Sequence, residues 1–424
     1  MPVGAGRFNR GSWTMFGSEY DIGLLLLIPV IGGVIGYLTN VVAVKMMFFP
    51  LDFVGIRPWF GWRGIIPANA VPLARSTLRL IMKRLLSVKD LFETLRPEDF
   101  VNPAEERIRE ETRKAVEALA MQHAGPMWSA LAEDVQEQVH AMAYKEVRAL
   151  TVNLVGDVME NVEKLIDIEA LVISSVKEDK GLMNRLFLEV GEIEFKFIER
   201  SGLFFGFGFG LIQMVIWALY PAWWILPLAG FFVGYATNWV ALKLIFEPAE
   251  PRVYLGVTVQ GLFHRRKTAV ATEFGRIVTE SVFTDEKLFD SLTAPHAREQ
   301  VLQMVKVRGD EVLERYRKHP MATMMLNDQL IATAEAQIQE RVDSELFRED
   351  GVLAGVTAQS ERIRVQIRDR MSALDPESFE GVLRPAFKQD EWKLIVAGAA
   401  LGLGAGFVQL FYLFGKALTD TLIQ

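Results

Sequence analysis

The chain has 424 residues, of which 50% are hydrophobic and 23% are charged, and this mixture is typical of a protein with a few membrane crossings and sizeable water-exposed parts. The formal net charge of −7 does not favour nucleic acid as a partner. The absence of cysteine excludes disulfides, thiolate nucleophiles and thiolate metal sites.

Three long runs without charged residues or histidine predict membrane-spanning helices. The runs have 23, 42 and 22 residues and are Ile22–Val44, Ser201–Leu242 and Leu394–Gly415. Because roughly 20 apolar residues cross a bilayer, the first and last runs predict one crossing each and the middle run predicts two. A turn is expected at Tyr220–Trp224, where Pro221 breaks the helix between aromatic residues. The first run lacks an evident cleavage site and is interpreted as a permanent crossing rather than a signal peptide.

The first and third crossings carry the same motif. Gly36, Tyr37, Thr39, Asn40, Ala43, Lys45 and Pro50 each recur 198 residues later. The stretch Gly206–Gln213 recurs as Gly402–Gln409, at an offset of 196. The repeated unit is therefore a crossing, a soluble segment and a second crossing. Two crossings return the chain to its starting side, so the two repeats are predicted to be parallel, with both soluble segments on one face of the membrane.

The soluble segments show helical periodicity. In the stretch 153–172, apolar residues recur mostly at steps of three and four, and acidic residues fall largely on the other face. The predicted fold is therefore all-α, an integral membrane protein with four transmembrane helices arranged as two parallel repeats. The predicted division of the chain begins with an N-terminal arm at 1–21 and ends with a tail at 416–424. The first repeat is predicted at 22–220, with crossings at 22–47 and 202–220 and a soluble segment at 50–200. The second repeat is predicted at 223–415, with crossings at 223–246 and 393–415 and a soluble segment at 247–392.

No recognisable catalytic or metal-binding motif is present in the sequence. Glu137 and His140 form one Glu-x-x-His pair, but a di-iron bundle needs two such pairs. Serine nucleophile elbows and histidine pairs with zinc-binding spacing are absent. The sequence therefore predicts no enzyme activity, no metal and no cofactor.

Polar side chains inside the crossings are the strongest candidate site. An amide in hydrocarbon must face protein or a water-lined cavity. Two interpretations stay open, a hydrogen-bonded clamp between helices or a polar site on a path for a solute or lipid. The residues concerned are Thr39, Asn40, Thr237, Asn238, Gln213 and Gln409.

Two further residue sets are predicted to have structural or interfacial roles. Small residues allow close approach of membrane helices, which assigns helix packing to Gly206, Gly208, Gly210, Gly402, Gly404 and Gly406. Basic and aromatic residues near crossings favour lipid headgroups, which assigns headgroup binding to Lys45, Lys243, Trp59, Trp62, Arg265, Arg266 and Lys267.

The paired GY-x-TN-x-x-A-x-K motifs, the stretch Phe195–Gln213 and "VQGLFHRRK" together resemble a bacterial membrane protein family, domain of unknown function 445. The resemblance covers nearly the whole chain. It implies a bacterial integral membrane protein and supplies no catalytic residues.

Two functions are compatible with these patterns. The first is a non-enzymatic module whose helical segments handle a lipid or other apolar ligand or scaffold protein partners, including a homo-oligomer. The second is an oligomeric small-solute channel or transporter lined by the Thr-Asn pairs.

Lys and Arg residues near the crossings are concentrated on the side of the soluble segments, with eleven on that side and three on the other. The positive-inside rule therefore predicts a multi-pass protein of the bacterial cytoplasmic (inner) membrane with both segments in the cytoplasm.

Overall fold

The computed structural model describes residues 12–15, 18–56, 60–84, 96–220, 222–254, 256–317, 346–348, 351–357, 360–384 and 391–422. Helices dominate these residues, which confirms the predicted all-α class. The first half contains α1 Ile22–Phe48, α2 Ile65–Ala68, α3 Ala70–Arg84, α4 Glu98–Val101, α5 Glu105–Ala130, α6 Glu133–Glu160, α7 Val162–Leu165, α8 Ile168–Glu178, α9 Leu182–Val190 and α10 Glu192–Leu219. The second half contains α11 Ile225–Phe246, α12 Leu262–Arg265, α13 Lys267–Ser281, α14 Asp285–Thr293, α15 Pro295–Arg317, α16 Val352–Thr357, α17 Ser360–Ala373, α18 Pro376–Leu383 and α19 Glu391–Leu422.

Four helices are long and apolar enough to cross a membrane. They are Leu25–Phe48, Glu192–Leu219, Ile225–Phe246 and Glu391–Phe411. The prediction of four membrane-spanning helices is confirmed. The second helix begins ten residues before the predicted crossing at 202, because its charged first turns, from Glu192 to Arg200, continue into the apolar part without a break. A charge-free run locates the apolar part of a helix and not its ends.

Three short antiparallel hairpins were not predicted. They pair β1 Ser12–Met15 with β2 Ser18–Asp21, β3 Val54–Ile56 with β4 Phe60–Trp62, and β5 Arg252–Tyr254 with β6 Val257–Val259. Strands of three or four residues are too short to show a clear alternation of apolar and polar residues, so no sequence pattern indicates them.

The chain divides into two compact units, 1–80 with 176–274 and 371–424, and 81–175 with 275–370. The first unit contains the four membrane helices, called the anchor below. In the anchor, α1 packs most closely on α10, and α11 packs in the same way on α19. Helices α10 and α11 also touch, as do α1 and α19. This arrangement is the one expected of two repeats related by a pseudo-twofold axis.

The chain leaving each repeat's first crossing also has the same structure. The peptide bonds Phe49–Pro50 and Glu247–Pro248 are both cis. In the first repeat, Gly64 N–H donates to the carbonyl of Pro50 at 2.9 Å, and in the second, Gly261 N–H donates to the carbonyl of Pro248 at 2.9 Å. A hairpin lies between each proline and glycine, and a short helix follows. The sequence repeat is therefore a structural repeat over these residues.

The second unit is built around the antiparallel helices α5 and α6, which pack on each other, and α6 also contacts α15. Apolar residues such as Val155, Val158 and Val301 are buried there. The Arg308 guanidinium on α15 binds the Asp157 carboxylate on α6 with two bonds of 2.7 Å. Bidentate pairs of this kind fix geometry as well as adding energy, so this pair sets the register of the two helices.

Backbone contact between glycines holds the helix pairs of the anchor together. A Cβ added at Gly32 would lie 2.8 Å from the carbonyl oxygen of Gly206, and one added at Gly36 would collide with the carbonyl oxygen of Gly202. The second repeat has the equivalent contacts of Gly230 with Gly402 and Gly234 with Gly398. Side chains at these positions would force the helices apart.

We expect Gly36→Ala to destabilise the protein by about 1–3 kcal/mol or more, because overpacking here is against backbone that cannot move aside. Gly208→Ala is the matched control, since a Cβ at Gly208 would meet no atom within 4 Å. Thermal unfolding in detergent, followed by size-exclusion chromatography, measures both. Equal midpoints for the two variants would contradict the close contact.

Candidate functional site

The asparagine of the first repeat joins its two membrane helices. Asn40 on α1 is fully buried, and its Nδ2 donates to the carbonyl oxygen of Ile198 on α10 at 2.7 Å. The same carbonyl accepts a bond of 2.8 Å from the Ser201 hydroxyl. A Cβ at Gly202 would lie 2.7 Å from Asn40 Nδ2. The glycine therefore makes the space in which the amide reaches its acceptor.

The second repeat has an equivalent bond. Asn238 Nδ2 on α11 donates to the carbonyl oxygen of Leu394 on α19 at 2.8 Å. Each amide thus bonds within its own repeat and not to its counterpart. The amide oxygens, Asn40 Oδ1 and Asn238 Oδ1, are buried and have no hydrogen-bond partner among the described residues.

The threonines beside the asparagines form hydrogen bonds within their own helices. Thr39 donates to the carbonyl of Gly36 at 3.1 Å, and Thr237 donates to the carbonyl of Gly234 at 3.3 Å. Both side chains are buried. Hydroxyl groups in this geometry need no other partner, so the arrangement supports the structural interpretation of the Thr-Asn pairs.

The glutamines join one repeat to the other. Gln213 on α10 donates from Nε2 to Oε1 of Gln409 on α19 at 3.4 Å, and both side chains are buried. Trp217, Leu226 and Leu410 are buried in the adjoining apolar cluster. Equivalent residues that meet in this way are expected at a pseudo-twofold axis.

Four of the six glycines predicted to pack helices lie in close contacts. Gly206 and Gly402 contact the opposing glycines, Gly32 and Gly230. A Cβ added at Gly210 would lie 2.7 Å from the Cα of Pro29, and one added at Gly406 would lie 2.6 Å from the Cα of Pro227. Gly208 and Gly404 do not take part, because they face open space. Other glycines in these contacts were not predicted to pack helices, although spacings of four residues between small residues indicate such packing. They are Gly32, Gly36, Gly202, Gly230, Gly234 and Gly398.

The residues predicted to bind headgroups have different environments. Lys45, Lys243 and Arg265 are exposed. The Lys243 ammonium lies 5.1 Å from the centroid of the Trp239 ring. Trp62 is 36% exposed, and Trp59 lies outside the described residues.

Arg266 has an internal partner. Its Nη1 lies 2.9 Å from Oε1 and 3.0 Å from Oε2 of Glu194, whose side chain is fully buried near the start of α10. This ion pair connects the second crossing of the first repeat to the chain that follows the first crossing of the second. The sequence analysis did not predict it, because the partners are 72 residues apart.

Lys267 is also engaged within the anchor unit. It donates to the carbonyl of Leu374 and lies 5.7 Å from the centroid of the Phe379 ring. Burial lowers the pKa of Lys267 below the usual value for lysine. Of the three basic residues at 265–267, Arg265 is therefore the most available to an external anion.

The far end of the α5–α6 hairpin, which we call the tip (residues 115–144), has exposed apolar side chains. Met121 and Met142 are 59% and 62% exposed, and Met127, Val135 and Val139 are also exposed. The tip is ordered by specific contacts. Gln136 Nε2 donates to the carbonyl of Trp128 at 2.9 Å, and the rings of Trp128 and His140 meet edge to face at 5.6 Å.

The comparisons with known proteins agree with the membrane assignment. Residues 30–164 match the family model described as Protein of unknown function (DUF445). The resemblance predicted for nearly the whole chain is confirmed over these residues, about a third of the chain. A UPF0754 membrane protein of Synechococcus elongatus is 42% identical over 80 residues, which are 18% of this chain and 19% of the relative.

More distant matches have the same description. A UPF0754 membrane protein of Staphylococcus epidermidis is 26% identical over 91 residues, 20% of this chain and 24% of the relative. One of Trichodesmium erythraeum is 38% identical over 78 residues, 17% of this chain and 18% of the relative. The chain therefore matches less than a quarter of the length of each of these relatives. No solved structure matches it.

We expect Asn40→Leu to lower stability modestly, because interhelical hydrogen bonds in membranes contribute about 0.6 kcal/mol on average and up to about 1.7 kcal/mol. Asn238→Leu should have a similar effect, and the double variant the sum of both, since the two bonds lie in different repeats. Unfolding in detergent by a chemical denaturant measures the free energies. A loss well above about 2 kcal/mol for Asn40→Leu alone would contradict a simple clamp.

We expect Arg266→Met to be more damaging than either asparagine variant, because it leaves a buried carboxylate without its cation, a change that costs about 3–5 kcal/mol. The double variant Glu194→Leu with Arg266→Met should recover much of that loss. The same unfolding assay provides the double-mutant cycle. If the loss in the double variant equals the sum of the losses in the two single variants, the two residues are not coupled.

Proposed function

We propose that this protein is a non-enzymatic binding module of the membrane. The anchor holds the chain in the bilayer, and the helical soluble segments present apolar surface to a lipid, another apolar ligand or a partner chain. The observation that carries the proposal is the exposure of Met121, Met127, Val135, Val139 and Met142 on the tip. Exposed apolar groups that cluster on one part of a surface mark interaction sites more often than isolated ones do.

The methionines strengthen this proposal. Methionine has a flexible, polarisable side chain and is common on surfaces that adapt to their ligands. The rings of Trp128 and His140 contact each other edge to face within the tip, whereas the methionines are exposed to water. Burial against a ligand would remove them from water.

Substitution of Val139 and Met142 by serine tests this proposal. Native mass spectrometry of the full chain in a mild detergent should show a bound lipid, a partner chain or a second copy that the doubly substituted protein has lost. Val307→Ser is the control, because Val307 is 47% exposed on α15 in the same unit but outside the tip. Identical spectra for all three proteins, with nothing bound, would refute the proposal.

A channel or transporter is a second candidate function. It is favoured by the two buried amide oxygens, Asn40 Oδ1 and Asn238 Oδ1, which keep free acceptor capacity at equivalent places in the two repeats. A polar path through the anchor would use such acceptors. Solute flux into proteoliposomes, lost in Asn40→Leu and Asn238→Leu variants that still fold, would support this function over the binding module.

We propose that the soluble segments face the cytoplasm, as the positive-inside rule favours. Gln138 is exposed on the tip, and the natural chain has no cysteine, so Gln138→Cys gives a single reactive thiol. We expect a membrane-impermeant thiol reagent to modify it in lysed cells only. Modification in intact cells would show that the soluble segments face outward and would contradict the proposed orientation.

A further inference from the structure

The tip combines its apolar surface with a strongly one-sided charge. Residues 115–144 contain no lysine or arginine, whereas Glu117, Glu133, Asp134 and Glu137 all lie in this stretch. Glu133, Asp134 and Glu137 are exposed, and none of them has an ion-pair partner among the described residues. The lower part of the hairpin differs, because its charges pair within the helix, as Lys114 does with Glu110 at 2.9 Å. Glu117, at the edge of the tip, also pairs in this way, with Arg113 at 3.3 Å.

The exposed apolar residues of α6 share one helix face. Val135, Val139 and Met142 are spaced by four and three residues, which places them in a row along about 10 Å of the helix. His140 lies on a different face and is buried toward α5, where its Nε2 is 3.7 Å from Glu117. The apolar row is thus separate from the surface by which α6 packs on α5.

The kink in α5 keeps the tip from being a simple continuation of the hairpin. Ala124 has φ −144° and ψ 32°, and Pro126 follows it inside the helix. The last turns of α5 therefore change direction, and Met127 is exposed on them. Gln136 bonds to the carbonyls of Trp128 and Leu131, which holds this arrangement in place.

We infer that the tip is a docking site for a positively charged amphipathic helix of a partner protein. This inference rests on the proposed function and names the class of ligand that the tip takes. Helices bind to such surfaces through apolar residues at i, i+3, i+4 and i+7, and the spacing of the row on α6 matches one such stripe. The unpaired carboxylates would lie beside the partner's flanking Lys and Arg residues.

Charge disfavours the other two occupants. An anionic bilayer surface attracts basic segments and repels a surface with three unpaired carboxylates. A second copy docked tip to tip would bring the same carboxylates together, and like charges across an interface oppose association. A cationic helix is the occupant that satisfies both the apolar row and the carboxylates.

The test uses the full chain in nanodiscs of zwitterionic phosphatidylcholine and a fluorescent synthetic helix. The peptide has leucine at i, i+3, i+4 and i+7 and lysine on the flanks, and a second peptide has glutamate in place of every lysine. We expect the lysine peptide to bind, by fluorescence anisotropy, at least about tenfold more tightly than the glutamate peptide and less tightly at high salt. Empty nanodiscs correct for binding to lipid.

Three variants locate the site. The pair Val139→Ser with Met142→Ser, and the triple variant Glu133→Gln, Asp134→Asn and Glu137→Gln, should each weaken binding about tenfold. Val307→Ser should leave it unchanged. All the substitutions are on exposed positions, and circular dichroism and elution volume check that the proteins stay folded. Equal binding of both peptides, or equal binding to the tip variants and the Val307→Ser control, would overturn the inference.

Failure of this inference can be distinguished from failure of the proposed function. If the peptide does not bind but native mass spectrometry shows a lipid or a second copy that the tip variants lose, the occupant named here is wrong and the binding module stands. If no ligand of any kind depends on the tip, both are wrong.

Discussion

Contact between glycine backbones determines the geometry of the anchor. In each repeat, glycines at spacings of four residues let two membrane helices approach very closely. Carbonyl oxygens of one helix then lie against Cα atoms of the other helix. In lipid there is little hydrophobic gain from bringing two apolar helices together, so packing and hydrogen bonds must supply the energy. The asparagine bonds depend on this approach, since each amide reaches the backbone of the opposing helix across the same short distance.

The asparagines illustrate this dependence. Asn40 reaches the carbonyl of Ile198 only because residue 202 has no side chain, and Asn238 reaches Leu394 in the equivalent place beside Gly398. The amide then fixes the rotation and height of one helix against the other, which apolar contacts alone do not. Between the repeats, the Gln213–Gln409 contact lies inside the bundle, and the ion pair of Glu194 with Arg266 lies at the charged start of α10.

The sequence predicted the helical class, the number of membrane helices and the repeat, because each leaves a local signal in composition or spacing. The polar residues of the crossings were also found, since an amide in an apolar run is conspicuous. Their hydrogen-bond acceptors were not predicted, because Ile198 and Leu394 contribute backbone carbonyls, which every residue has. The pair of Glu194 and Arg266, and the exposed row on α6, depend on which helix faces are covered in the folded chain. The hairpins after Pro50 and Pro248 are too short to show a pattern.

Anchor and tip differ in a way that suits separate roles. The Thr, Asn and Gln side chains of the repeated motifs are buried in the anchor, whereas apolar side chains of the tip are exposed. A membrane protein whose function lay in a path through the bilayer would be expected to have the reverse, with polar groups accessible to water. We therefore propose that the anchor provides stability and that the soluble helices provide the binding surface.

Thiol accessibility separates these roles most directly. Thr237 is fully buried in the anchor and Met142 is 62% exposed on the tip, so Thr237→Cys and Met142→Cys each place one thiol in a cysteine-free chain. We expect a small water-soluble methanethiosulfonate, applied to the protein in open membranes, to modify Met142→Cys at the rate of a free thiol. Thr237→Cys should stay unreacted until the protein is unfolded. Rapid modification of Thr237→Cys in the folded protein would mean that water reaches the Thr-Asn pairs, and it would contradict the assignment of the anchor as a closed scaffold.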